Sequence, residues 1–261
     1  DFRFPGLPPS DFPSLPDVEG VEPHSVSAKV LENMIRKTMF SISTDETRYT
    51  YNGVFMESDG DILRLVATDG HRLAMIEEKC PGMKLKEGVI VHRKALGELV
   101  KILPEAEGDV NIFVKENHII FRIRNLILSA RLIDGQFPNY SQVIPQNKEF
   151  RIQLDRDKLV RALRRVSLLS SETRMVKFLF SAGQLMLTTN GSEAGEAKEV
   201  LEADYAGEEL TIGFNSRYCL DVLTVLDESH VYIDLKDSLS PGVIVPTDTK
   251  GYLYVIMPMR V

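Results

Sequence analysis

The chain has 261 residues, 43% of them hydrophobic and 26% charged, with 17 Gly, 13 Pro and no Trp. That balance is ordinary for globular protein and excludes collagen-like, coiled-coil and wholly disordered chains. A net charge of −7 argues against a simple nucleic-acid binder, whose footprint is an excess of Lys and Arg. At about 100–150 residues per domain, the length predicts two domains. No apolar run reaches the ~18 residues of a membrane span, and Asp1–Gly6 lacks the charged and apolar regions of a signal peptide, so a soluble, cytoplasmic protein is expected. Cys80 and Cys219, far apart and outside any CxxC, are expected to be reduced core residues.

Residues 1–20 carry Pro5, Pro8, Pro9, Pro13 and Pro16 with Gly6 and Gly20, which predicts a linker and excludes a helix or interior strand. Phe2 and Phe4 alternate with Asp1 and Arg3 like the end of a strand, so a domain is expected upstream. The remainder repeats. Residues 27–40 place Val30, Leu31, Met34 and Ile35 at helical spacing; residues 155–168 do the same with Leu159, Ala162, Leu163 and Val166. Each opens on a capping-type residue, Ser27 or Asp155, and the two start 128 residues apart. Alternating strands with a tight turn follow, reaching Gly70 and Gly191, 121 residues apart. Second helices are predicted over 92–103 and 215–226, offset by 123 residues, and strand-rich tails close each unit. The shared period points to an internal duplication, each unit reading β-α-β-β-β-α-β-β-β, with a boundary near Pro145 to Lys148.

No GxGxxG, P-loop, HExxH, GxSxG or kinase signature is present, and the five histidines are scattered without metal-ligand pairing. The most catalytic-looking stretch is Thr68-Asp69-Gly70-His71-Arg72. Its plain reading is a hairpin turn; the alternative is an enzyme using Asp69, His71 and Arg72. The charge is segregated. The four predicted helices carry +2, +2, +3 and 0, a total of +7 in a chain of −7, which leaves −14 for strands and loops. A surface lined by such helices suits phosphates without reading bases.

Residues 65–74 (LVATDGHRLA), 134–140 (DGQFPNY) and 254–260 (YVIMPMR) together resemble the bacterial DNA polymerase III beta subunit family, the sliding clamps, and the similarity runs over essentially the whole chain in one register. The resemblance implies an α+β DNA-clamp fold of two repeated domains, each with two helices on one face of strand-rich sheets. It implies a non-enzymatic processivity factor without cofactor or metal, whose homodimeric ring of six domains encircles duplex DNA. The family's chains have three domains. Here residues 1–20 resemble the last strand of the first domain plus a linker, 21–147 the middle domain and 148–261 the last, so a two-domain fragment, monomeric or weakly self-associating, is expected. A natural two-domain protomer that trimerises is the alternative.

The resemblance also implies residue roles. A groove for peptides from replicative and repair polymerases, the clamp loader and other partners would be formed by Tyr51, Thr68, Gly70, His71, Arg72, Leu73, Pro138, Gln142, Val143, Leu239, Val255, Ile256, Met257, Pro258, Met259 and Arg260. Leu73, Val143, Val255 and Met257 would take the peptide's Leu or Phe, with His71, Arg72 and Arg260 meeting its polar groups at the rim. Pro258 ends any strand ladder there, leaving two adaptable methionines beside the break. Gln142 departs from the Arg that several family members carry. Lys29, Arg36, Lys37, Arg93, Lys94, Lys101, Arg161, Arg164 and Arg165 would face DNA, and Phe2, Phe4, Leu168 and Leu169 would mark the ring interface.

Overall fold

The computed structural model describes residues 1–11, 18–85, 87–191, 195–248 and 251–261; Pro13 and Pro16 of the expected linker lie outside them. The first unit runs β1 (His24–Ser27), α1 (Ala28–Thr38), β2 (Gly53–Asp59), β3 (Ile62–Thr68), β4 (Arg72–Lys79), β5 (Val89–His92), α2 (Arg93–Ile102), β6 (Asp109–Lys115), β7 (His118–Ile123) and β8 (Leu126–Ile133). The second repeats it as β9 (Phe150–Asp155), α3 (Arg156–Ser167), β10 (Met175–Ser181), β11 (Gln184–Gly191), β12 (Gly195–Glu202), β13 (Leu210–Asn215), α4 (Ser216–Val225), β14 (His230–Leu235), β15 (Gly242–Pro246) and β16 (Tyr252–Ile256). Each helix pair is thus separated by four strands, not the expected three. The extra strands, β5 and β13, end directly on a helix, and residues 89–92 are too short to show a period of their own.

Strands run in the order β1-β6-β7-β8-β5-β2-β3-β4-β16-β15-β14-β9, with β12-β11-β10-β13 as a separate sheet. The domains join where β4 pairs antiparallel with β16, setting Leu73 opposite Val255 and Ala74 opposite Tyr254. Gly251, at φ +85°, leads into β16, and its carbonyl accepts from the Glu77 N–H at 2.8 Å. A Cβ there would stand 2.6 Å from the Glu77 carbonyl oxygen, so the junction register requires this glycine.

The helices form because each presents one apolar stripe to the sheets: Leu31, Met34 and Ile35 on α1, Leu96 and Leu99 on α2, Leu159, Leu163 and Val166 on α3, Val222 and Leu223 on α4. Packing pairs α1 with α2 and α3 with α4, and α1 touches α4 across the junction. Cys80 and Cys219 are buried free thiols, each pushed up in pKa by burial. None of these helices is long and apolar enough to cross a membrane. Phe2 and Phe4 belong to no strand and are 93% and 85% exposed, because no described strand edge lies beside them to complete a ladder.

Capping differs from expectation at α1, where Ser27 makes no side-chain cap bond, whereas Asp155 accepts from the Lys158 N–H at 2.8 Å. At α2 the cap is His92, whose Nδ1 accepts from the Lys94 N–H at 3.1 Å and must therefore be neutral. Burial, with Lys94 and Arg93 close by, lowers its pKa below 6.5. The unfolded chain then takes up this proton first, so the cap's stabilisation is complete above the unfolded value and is lost as pH falls toward the lowered one. Between pH 7 and 5, Tm should fall more for the wild type than for His92→Asn, whose amide caps without titrating. Equal slopes in calorimetry would count against this.

Candidate functional site

The site grows from the β3–β4 turn. Gly70 sits at φ +91°, and Asp69 accepts from the backbone N–H of His71 at 2.9 Å and of Arg72 at 3.1 Å. Thr68 closes the hairpin by donating its hydroxyl to the Arg72 carbonyl at 2.6 Å while accepting from the Gly70 N–H at 3.1 Å. The turn is thereby self-contained, and β4 leaves it with Leu73 on the outer face. There Leu73 meets Val255 of β16, with Val66, Ile90 and Phe137, in a small apolar cluster separate from the main core. Residues 134–147 cross over this cluster on their way to the second domain.

Between that crossing and the β4–β16 seam lies a cavity of about 170 Å³. It is lined by Tyr51, Thr68, Gly70, Arg72, Leu73, Pro138, Asn139, Tyr140, Val143, Val255 and Met257. Two further concavities flank it. One, of about 340 Å³, shares Arg72 and contains His71 with Asp45, Arg48, Asp69, Arg217 and Tyr218. The other, of about 390 Å³, shares Val143 and Met257 and adds Gln142, Gln146, Asn147, Lys236 and Ser240. The three form one trough: a charged end, an apolar middle and an amide-lined end. Met257 overhangs the middle, its N–H donating to the His71 carbonyl at 3.0 Å.

Several residues expected in the groove do other work. Arg72 lines two of the concavities but is only 8% exposed, and its donors are taken: Nε donates to Asp69 at 3.0 Å, Nη1 to Asp221 at 2.5 Å and Nη2 to the Phe40 carbonyl at 2.7 Å. Burial works against its charge, but Tyr254, Asp221 and Asp69 more than offset this and raise its pKa. Ile256 is core, because alternation along β16 points it away from Val255 into the main cluster. Leu239, Pro258, Met259 and Arg260 line none of the three concavities. Leu239 and Arg260 are exposed, and Met259 bonds Gly213 by its backbone, N to O 2.8 Å. Sequence reasoning missed Asn139, Tyr140, Tyr218, Arg48, Arg217 and Lys236. Asn139 and Tyr140 stood inside the motif 134–140; the others carry no local signal.

The basic helix face is smaller than expected. Lys37 is 3% exposed, 3.8 Å from Glu228 and stacked over Tyr252, because α1 turns it into the domain junction. Arg36 bonds Asp227 and the Val225 carbonyl, both at 2.9 Å, and Arg165 forks onto Glu199 at 2.6 and 3.0 Å. Lys101 pairs with Glu98 at 2.7 Å on the surface. Lys29, Arg93, Lys94, Arg161 and Arg164 make no ion pair among the described residues. At the far end of α3, Leu168 is 82% exposed and Leu169 partly buried. No group of three or more His, Cys, Asp or Glu among the described residues could hold a metal.

A duplicated domain with paired helices packed on strand-rich sheets, continuous through an interdomain strand pair, is the architecture of a clamp. Residues 25–139 match the central-domain family of the DNA polymerase III beta subunit, and residues 141–260 match its C-terminal-domain family. The chain is 39% identical over 267 residues to the beta sliding clamp of Caulobacter vibrioides, covering 100% of this chain and 72% of that protein. It is 36% identical over 260 residues to that of Escherichia coli K12, covering 99% and 71%. Among solved structures, a Bartonella birtlesii sliding clamp bound to griselimycin matches at TM-score 0.91 and 41% identity, covering 98% of this chain and 70% of that one. A Pseudomonas aeruginosa clamp with ligand matches at TM-score 0.92 and 36% identity, with the same coverage. This chain belongs to the DNA polymerase III beta subunit family. It is a sliding clamp, an accessory processivity factor of DNA replication and not a catalytic enzyme, and it spans about 71% of the length of these curated relatives.

Proposed function

We propose that the trough at the domain junction binds short linear peptides of replicative and repair DNA polymerases, the clamp loader and other clamp partners, and that the helix face runs along duplex DNA in the closed homodimeric ring of the cytoplasm. The observation that carries the peptide reading is the apolar middle cavity, where Leu73, Val143, Val255 and Met257 converge beside Pro138. An apolar pocket with polar ends suits a peptide whose Leu or Phe is swallowed while its backbone and flanks stay wet. The expected rim role passes from Arg72 to the flanking ends, where His71, Arg48 and Arg217 stand on one side and Gln142 on the other. The test is calorimetry of the chain with a synthetic peptide carrying adjacent Leu and Phe. Saturable binding lost in Leu73→Asp supports the reading; no binding by the wild type refutes it.

For DNA, the five cations without ion pairs support weak, sequence-independent contact to phosphates. If all five neutralise phosphates, affinity should fall by roughly 10²–10³-fold between 50 and 200 mM salt. Titrating duplexes of two unrelated sequences at rising salt checks this; tight binding to one sequence would sink it. Phe2, Phe4, Leu168 and Leu169 are proposed as ring-interface positions, supported by the exposure of Phe2, Phe4 and Leu168.

A further inference from the structure

Residues 134–140 hold two aromatic side chains that were not among the expected groove residues: Tyr140, which lines the cavity, and Phe137, which packs in the apolar cluster with Leu73 and Val255. The crossing segment 134–147 contains only one short 3-10 turn, Tyr140–Val143, yet it supplies Pro138 and Val143 to the cavity. A wall of irregular backbone has the position its anchors give it. The first anchor is Phe137, 7% exposed and stacked on Phe55 of β2 with centroids 4.9 Å apart and planes within 5°. The second is Tyr140, whose ring lies 6.4 Å from Phe55 and 6.5 Å from Phe137. Its phenol donates to Glu57 and accepts from Arg64 at 3.1 Å. Arg64 also bonds Glu57 at 2.7 Å and Glu77 at 2.6 Å, so one guanidinium ties the loop to β2, β3 and β4 together. Burial, with the Glu57 hydrogen bond, pushes the Tyr140 pKa up to about 12, so the phenol remains a donor at neutral pH.

We propose that Tyr140, Glu57 and Arg64 are positioning residues of the peptide site: they fix the distance between the crossing segment and the β4–β16 seam, and thereby the affinity for an apolar side chain. The proposal rests on the peptide reading. The network lies on the outer sheet face, away from the main core, so its loss loosens a wall without unfolding the domain. In the whole chain, Tyr140→Phe and Glu57→Ala are expected to weaken a fluorescein-labelled peptide with adjacent Leu and Phe by about five-fold, one buried hydrogen bond's worth. Amides within 134–147 should exchange faster by a similar factor in the free protein, with Tm nearly unchanged. Glu57→Gln, whose carbonyl oxygen still accepts from the phenol, should recover most of the affinity that Glu57→Ala loses. Wild-type binding with Tyr140→Phe unaltered, or a loss that Glu57→Gln fails to recover, overturns the proposal alone. Failure of the wild type to bind this peptide defeats the underlying reading and the proposal with it.

Discussion

Removing Met257–Val261 is expected to abolish binding of a clamp-binding peptide, an affinity loss above about 100-fold, while the fold survives. Met257 is the one cavity residue that comes from beyond the last strand, and it touches both the apolar middle and the amide-lined end of the trough. Burying a large apolar side chain contributes about 1.5–3 kcal/mol, so loss of Met257's contact alone accounts for about ten-fold of that factor. The deletion also opens the cavity to water on that side, which weakens the contacts to Leu73 and Val255. The fold should tolerate it because β16 ends at Ile256. What goes is peripheral: the Met257 N–H bond to the His71 carbonyl and the Met259 N–H bond to the Gly213 carbonyl. Calorimetry measures the affinity and circular dichroism the fold. Unchanged affinity in a folded deletion would refute the site, and Met257→Ala should fall between, at about ten-fold.

Features set by local chemistry were legible in the sequence, and features set by distant partners were not. The Thr68–Arg72 hairpin was readable because its Asp and Gly satisfy the turn from within, and the helices because their stripes keep one period. Lys37 looked like any basic residue late in a helix; only its placement against Glu228 and Tyr252 in the other domain shows that it is buried. Arg36 likewise finds Asp227 across 191 positions of sequence, a pairing no window reveals. β5 and β13 escaped notice because each runs straight into a helix without a turn to mark its end. Tyr140 stood in a quoted motif, but its role comes from Glu57 and Arg64 on the sheet beneath. Charge counts overstated the free charge of the helices, since pairing depends on contacts that composition cannot contain.

Arg72→Ala is expected to destabilise the chain by about 3 kcal/mol, lowering Tm by roughly 6–12 °C. The guanidinium is buried among groups from both domains: Asp69 and the Phe40 carbonyl from the first, Asp221 and the Tyr218 ring, 4.3 Å away, from the second. Truncation leaves two carboxylates facing each other without their cation and a carbonyl without its donor, which costs more than the ion pair itself contributes. Asp221 keeps partial access to water, so the lower end of the buried-pair range applies. Lys in place of Arg should recover only part of the loss, because a point charge cannot reach three acceptors while lying flat on an aromatic ring. A double-mutant cycle of Arg72→Ala with Asp221→Ala isolates the interdomain share. Coupling above about 1 kcal/mol would mark Arg72 as the bolt that holds the β4–β16 seam, and with it both walls of the cavity, in register. Coupling near zero would mean that Asp69 and Phe40 hold Arg72 for the first domain alone, and that the seam's strand pairing carries the junction without it.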